Sequence, residues 1–352
     1  MILLTFLENP LSLELSMKKF FLLILAVIAL NAKIIVDSLN RHVNVSDNIQ
    51  SIVAVGPGAL RLVVYLQSQN KVVGIEKKEK KFIYARPYIL AHKELLKLPV
   101  IGMGGPNPRI NLEAVLKLKS DVIIAGYISK QKADMITKKT GIPVIVISYG
   151  NLGTFANKKF FNSIKILGNL LNKQKRADRV IDFIKKLDRD IKSRKFKCNK
   201  KVYIGAVAFK GLHGITSTMP KFPPFEMLGV SNAVNVNAKS QIFIDKEKLF
   251  IINPDVIFID ESGLKFVKKD GLIKKLKAFR QKQIYGILPY NNYMTNIGTA
   301  YADTYYIGKV LAPEKFRDIN IVEKSNEIYK FLVGKPCYNS MAKFFGGFKK
   351  LY

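Results

Sequence analysis

The chain is 352 residues long and carries 58 Lys and Arg against 26 Asp and Glu, a formal net charge of +32, with 48% hydrophobic and 11% aromatic residues. That apolar content excludes a disordered basic tail, and the two cysteines, Cys198 and Cys337, exclude a zinc ribbon or a disulfide-dense scaffold, leaving one bridge at most. Only 10 of the 58 basic residues are Arg, whereas base edges and phosphates are typically gripped by guanidinium forks, so the composition argues against nucleic acid as a partner.

Residues 17–32 read MKKFFLLILAVIALNA, two lysines followed by an apolar run from Phe20 to Leu30 and a small residue at Ala32. This order is that of a secretory signal, and the run is too short to span a bilayer. Residues 1–32 are therefore expected to be a leader with a signal peptide. A mature chain starting near Lys33 would then lie in the periplasm, the alternative being a leader left uncleaved as a membrane anchor.

From Ser51 onward, strand-like runs (SIVAV, KVVGI, DVIIA, IPVIVI) alternate with helix-period segments such as ALRLVVYLQSQ and NLEAVLKLKS. This predicts parallel βαβ units in an N-terminal α/β lobe over residues 33–155. Residues 156–195 contain no Pro and one Gly, with apolar residues at helical spacing from Phe160 to Ile191. If continuous, about 38 residues at 1.5 Å each would make a helix of roughly 57 Å, long enough to join two lobes. The polar stretch Asn172 to Arg176 is where it would bend or break. A second α/β lobe is expected over 196–352, built on KVYIGAVAF, DVIFID and QIYGIL. The predicted fold is thus two Rossmann-like α/β lobes joined by a backbone helix, with the ligand cleft between them.

Ligand sites of open α/β sheets lie beyond the carboxyl ends of the strands, which directs attention to the loops there. After SIVAV comes Gly56-Pro57-Gly58, a turn into a helix that can offer N–H groups to an anion or be a plain tight turn. The Gly104–Arg109 segment carries Asn107 and Arg109, a guanidinium free either to grip a carboxylate or to stay solvated, and Tyr127 follows DVIIAG. In the second lobe, Lys210, His213, Thr216 and Ser217 follow the first strand, and Tyr290, Asn291 and Tyr293 follow QIYGIL. Imidazole binds transition metals and phenolate suits iron(III), so His213 and Tyr290 are the candidate metal ligands; a structural histidine and aromatic packing are the alternatives. The chain contains no P-loop, G-x-S-x-G or H-E-x-x-H, and its three histidines are isolated. A binding protein is expected rather than an enzyme, with no catalytic residues and no intrinsic cofactor.

Two stretches, KGLHGITSTMPKFPPFEMLGVSNAVN (210–235) and LPYNNYMTNIGTAYADTYYIGKVLAPEKF (288–316), resemble the substrate-binding proteins of ABC importers for iron–siderophore, haem and cobalamin, in particular the iron(III) branch. The resemblance runs from about Ser51 to Leu332. It implies a monomer that captures an iron(III) chelate and delivers it to a permease with a cytoplasmic ATPase. It also implies docking on that permease through one glutamate per lobe: Glu113, in Asn111-Leu112-Glu113, and Glu247, in Asp245-Lys246-Glu247 ahead of Pro254-Asp255-Val256. Where cobalamin binders carry a tryptophan on each lobe, this chain has Asn107 and Gln241, and it has no Trp at all, which argues against a corrin. Gln241 joins the expected ligand-binding set, with Arg109 and Lys210 neutralising an anionic chelate. A nickel or cobalt complex, haem or cobalamin are the alternatives within the family; outside it stand an exported metal-dependent enzyme and a basic polyanion-binding surface protein.

Overall fold

The computed structural model describes residues 32–352, apart from residues 106, 151–154, 156, 210 and 239. The expected signal peptide and Lys210 therefore lie outside the described residues. The described chain opens with an antiparallel hairpin, β1 (Ala32–Val36) and β2 (His42–Ser46).

The first lobe is a four-stranded parallel sheet of β3 (Ile52–Val55), β4 (Val72–Gly74), β5 (Val122–Gly126) and β6 (Val144–Ile147), in the order β4-β3-β5-β6. Every residue of β3, β5 and β6 is buried, the mark of a parallel sheet covered on both faces, which is why these strands read as unbroken apolar runs. The second lobe contains β7 (Val202–Gly205), the short antiparallel pair β8 (Ser217–Thr218) and β9 (Ile242–Phe243), then β10 (Val256–Asp260) and β11 (Ile284–Ile287). Its parallel sheet has the order β11-β10-β7. Two α/β lobes are present, as the alternating pattern implies.

The segment between the lobes is not one helix. It forms a helix over Lys158–Leu170, capped by the Asn157 side chain, and a second over Gln174–Ser193. Between them Asn172 takes a left-handed conformation, φ 55°, which no helix can carry through. A Cβ on Gly168 would fall 2.7 Å from the Ala177 Cβ, so the second helix packs back against the first at a point where only glycine fits. The spanning helix is therefore 20 residues, about 30 Å at 1.5 Å per residue.

That helix is fastened at both ends. Arg176 Nε donates to the Tyr65 carbonyl of the first lobe at 2.9 Å, while Asp188 and Asp190 accept from Tyr301 and Tyr305 of the second at 2.5 and 2.6 Å. The helix Ile321–Val333 returns to the first lobe, where the His92 ring nitrogen Nε2 meets the Val333 carbonyl at 2.9 Å. Buried side chains from both lobes merge into one apolar cluster, with Leu62 and Ile145 on one side, Ile184 in the spanning helix, and Phe225, Tyr301 and Leu332 on the other. Each such side chain is worth roughly 1.5–3 kcal/mol when buried, so parting the lobes is opposed by more than a linker. Cys198 and Cys337 are both free thiols. Among the described residues no helix is long and apolar enough to cross a membrane.

Candidate ligand cleft

In the first lobe the chain leaves central β3 for β4 on one side and later returns to β5 on the other. The crevice of such a sheet opens where these paths diverge, between the loops after β3 and β5. Those loops are Gly56-Pro57-Gly58 and Gly126-Tyr127. Gly56 has φ 82° and a Cβ there would lie 2.3 Å from the Gly126 carbonyl oxygen; Gly58 has φ 84° and a Cβ would lie 2.3 Å from the Tyr149 ring. Glycine is thus required for the two loops to abut. Tyr127 stands beside them, exposed, its hydroxyl donating to the Gly150 carbonyl at 2.8 Å. Burial of the hydroxyl end pushes this phenol up to about 12, so it acts as a neutral group. A pocket of about 220 Å3 adjoins it, lined also by Ser148, Lys159 and Asn162.

In the second lobe a pocket of about 220 Å3 lies at the carboxyl ends of β7, β10 and β11, lined by Tyr290, Asn291 and Gln241 together with Asp260, Phe209 and Phe222. Ser217 is not in this pocket's lining; its hydroxyl donates to the Val207 carbonyl and accepts from Gln241 Nε2, both at 2.7 Å, which fixes the glutamine. Thr216 accepts the Ile244 N–H through its carbonyl at 3.1 Å. Tyr290 is buried, and burial beside Asp303 and Asp260 holds its phenol well above the usual range. His213 is not part of this pocket's lining: its Nε2 meets the Phe209 carbonyl at 2.8 Å and its ring stands edge-on to Phe243. The structure does not bring His213 and Tyr290 into one pocket, and burial disfavours the phenolate form of Tyr290. Asn107 and Arg109 are exposed on the loop before Asn111.

Tyr293 has a different place from Tyr290. Its hydroxyl donates to Glu76 Oε2 at 2.5 Å and accepts the Gly105 N–H at 2.9 Å, joining the second lobe to the first. Two buried arginines of the first lobe hold the same loop. Arg61 donates to the carbonyls of Asn292, Tyr293 and Thr295 at 3.0, 2.9 and 2.8 Å, with its guanidinium 4.9 Å from the Tyr88 ring centre. Arg86 donates to Asn292 Oδ1 at 2.8 Å and pairs with buried Glu79 at 3.0 Å. The loop that carries Tyr290 and Asn291 into the pocket is thus positioned from the opposite lobe.

Glu76 is buried, and desolvation pushes its carboxyl from an ordinary 4.5 to about 7. A carboxyl whose folded pKa exceeds its unfolded one contributes stability in full below the unfolded value and loses it as pH rises through the folded value. Here the window runs from 4.5 to about 7, and the shift corresponds to about 3 kcal/mol. Glu76→Gln is expected to flatten the fall in urea-unfolding free energy across that window; an unchanged slope would remove Glu76 as its source. Glu261, pushed up to about 8 by burial, adds a slope of the same sign, so the flattening is partial.

Glu113 and Glu247 each lie in the first turn of a short helix, Leu112–Lys117 and Lys246–Ile252, and both are exposed. Glu113 pairs with Lys117 at 2.9 Å. Arg61, Arg86, Glu76 and Asp260 escape sequence reasoning, although arginine was a usable signal. Of the ten arginines in this lysine-rich chain, Arg41, Arg61, Arg86 and Arg176 are buried.

Residues 52–290 match the periplasmic binding protein family. The molybdate-binding protein MolA of Haemophilus influenzae is 22% identical over 336 residues, 86% of this chain and 91% of that protein. The iron-uptake system-binding protein of Bacillus subtilis is 30% identical over 194 residues, 50% of this chain and 57% of that one. A solved periplasmic solute binding protein from Veillonella parvula matches the fold with a TM-score of 0.73 at 21% identity, over 90% of this chain and 97% of its own. Two parallel α/β lobes, a helix spanning them and a match over most of the chain lead to one conclusion: the protein belongs to the periplasmic binding protein family.

Proposed function

We propose that this protein captures a pre-assembled iron(III) chelate of the siderophore type between its lobes and delivers it, without turnover, to the permease of an ABC importer. The observation that carries this reading is the chemistry at the strand ends. Phenols, amides and apolar walls, with Asp260 in one and Lys159 in the other, line the two pockets, and among the described residues no group of three His, Cys, Asp or Glu side chains stands ready to hold a metal. Such a surface grips the outside of a complex and leaves the iron to its chelator. The stretch of 30% identity to an iron-uptake system-binding protein supports the same cargo. Arg109 and Lys210 neutralise anionic groups of the chelate, Glu113 and Glu247 dock the permease, and the leader directs the chain, as a monomer, to the periplasm.

A second reading, a molybdate carrier, is favoured by the similarity to MolA over most of the chain. Native mass spectrometry and thermal shift with ferric trihydroxamates, ferric catecholates, haem, nickel–histidine, cobalamin and molybdate separate the two. Stabilisation by ferric chelates and not by molybdate is expected. Stabilisation by molybdate alone would replace the first reading with the second, and no response to any compound would remove both.

A further inference from the structure

The charged lining of the second-lobe pocket is opposite in sign to the net charge of the chain. In a chain of net charge +32, the charged side chain among its described lining residues is an acid, Asp260, at the end of β10. One carboxylate oxygen, Oδ1, is occupied by the Ser262 N–H and hydroxyl at 3.0 and 2.7 Å. The other, Oδ2, receives a long contact of 3.4 Å from the Ala208 N–H, and no described cation forms an ion pair with Asp260. A second acceptor lines the same pocket: Asn291 Oδ1 is buried with no hydrogen-bond partner among the described residues. The amide of Gln241 has turned its donor away, to Ser217 and the Ile242 carbonyl.

Beneath this floor lie two more buried acids. Asp303 Oδ1 accepts the Leu288 N–H at 3.1 Å while Oδ2 has no partner among the described residues. Glu261 accepts the Gly347 N–H at 2.9 Å. Burial raises all three carboxyls, and each of Asp303 and Glu261 feels Asp260 as a like charge. Asp303 and Glu261, held protonated by burial, add no charge near neutral pH, so the acidic character of the pocket rests on Asp260, whose ionised form a cation beside Oδ2 favours and an anion opposes. The walls are apolar and aromatic, with Phe209, Met219, Phe222 and Tyr290, and the volume of about 220 Å3 exceeds the roughly 150 Å3 cavity that admits a benzene ring. Surfaces of this kind hold an alkyl chain along its length and a cation at its tip.

We propose that this pocket is a subsite for an alkylammonium arm of the ligand, its methylenes packed among the aromatic side chains and its N–H groups donating to Asp260 Oδ2 and Asn291 Oδ1. The proposal rests on the chelate reading for the rest of the ligand, while the preference of the pocket for a donor-tipped, positively charged arm stands on its own lining.

Two probes keep these apart. The first is a linear ferric trihydroxamate with a free pentylammonium tail, ferrioxamine B, titrated calorimetrically against its N-acetylated form, which keeps the iron coordination and loses the charge. The free amine is expected to bind roughly tenfold tighter or better, as a contact of one charge pair shielded from water implies. Asp260→Asn is expected to narrow that difference to about twofold or less. The second probe is the arm alone, N-acetylcadaverine, read by thermal shift on the wild-type chain, so that a variant that fails to fold does not end the test. Equal affinities for the two ferric complexes would overturn the subsite and leave the chelate function standing. A thermal shift by the amine that is absent with diacetylcadaverine, with neither ferric complex binding, would support the subsite and remove the chelate function. No shift with the amine, together with no difference between the complexes, would overturn the subsite.

Discussion

Arg61→Met is expected to lower the free energy of unfolding by about 3–5 kcal/mol and to weaken ligand binding in whatever fraction remains folded. Arg61 is fully buried and makes no ion pair among the described residues. Its charge is met by three carbonyl oxygens of the 292–295 loop and by the faces of Tyr88 and Tyr149. Hydrogen bonds to charged groups are worth roughly 1.5–3 kcal/mol each, and removing the donor leaves three carbonyls unmet in a buried setting. Methionine nearly fills the same volume, so the loss reports the polar contacts and not a cavity. The loop it releases also carries Tyr290 and Asn291, which is why binding should fall with stability. Arg61→Lys, unable to reach three acceptors with one planar fork, should lie between the two. Urea unfolding with parallel titration of the bound ligand checks this, and a stability within about 1 kcal/mol of wild type would show that the loop holds itself.

The double variant Glu113→Ala, Glu247→Ala is expected to bind ligand as wild type does and to cut uptake into cells roughly tenfold or more. Both carboxylates are exposed in first helical turns, where the helix dipole alone favours an acid. The Glu113–Lys117 pair is largely exposed and such pairs contribute little, so the variant should fold and melt normally. If the proposed docking holds, these two acids are the points that arginines on the permease would meet. Exposed Leu116 follows the first glutamate, and exposed Phe250 and Ile251 follow the second, giving each acid an apolar neighbour on its own helix. Cells that take up the ligand normally with the double variant would remove the docking role.

Much of the architecture is readable from composition and period. The β-branched runs at 52–55, 122–126, 144–147 and 256–260 became parallel strands because each is covered on both faces. The polar stretch from Asn172 is where an interlobe helix would bend or break, and the helix breaks there; that the two pieces then pack together, with Gly168 against Ala177, depends on how two helices fold against each other. Residue type alone points to His213 and Tyr290 as ligands, whereas in the fold one is bonded within its own loop and the other is buried where a phenolate is disfavoured. Residue type declares what a side chain can do, and burial and partners decide what it does.

The sequence by itself determined two α/β lobes, a helical connection and the loops that follow the strands, because strand and helix periodicities are local properties of the chain. Tertiary structure alone decided that Arg61, Arg86 and Glu76 reach across the lobes to set the loop of Tyr290, and that Asp260 gives an acidic pocket to a basic protein. These pairings join residues more than 200 positions apart. Their energies come from excluding water around charges, a condition no short window of sequence contains.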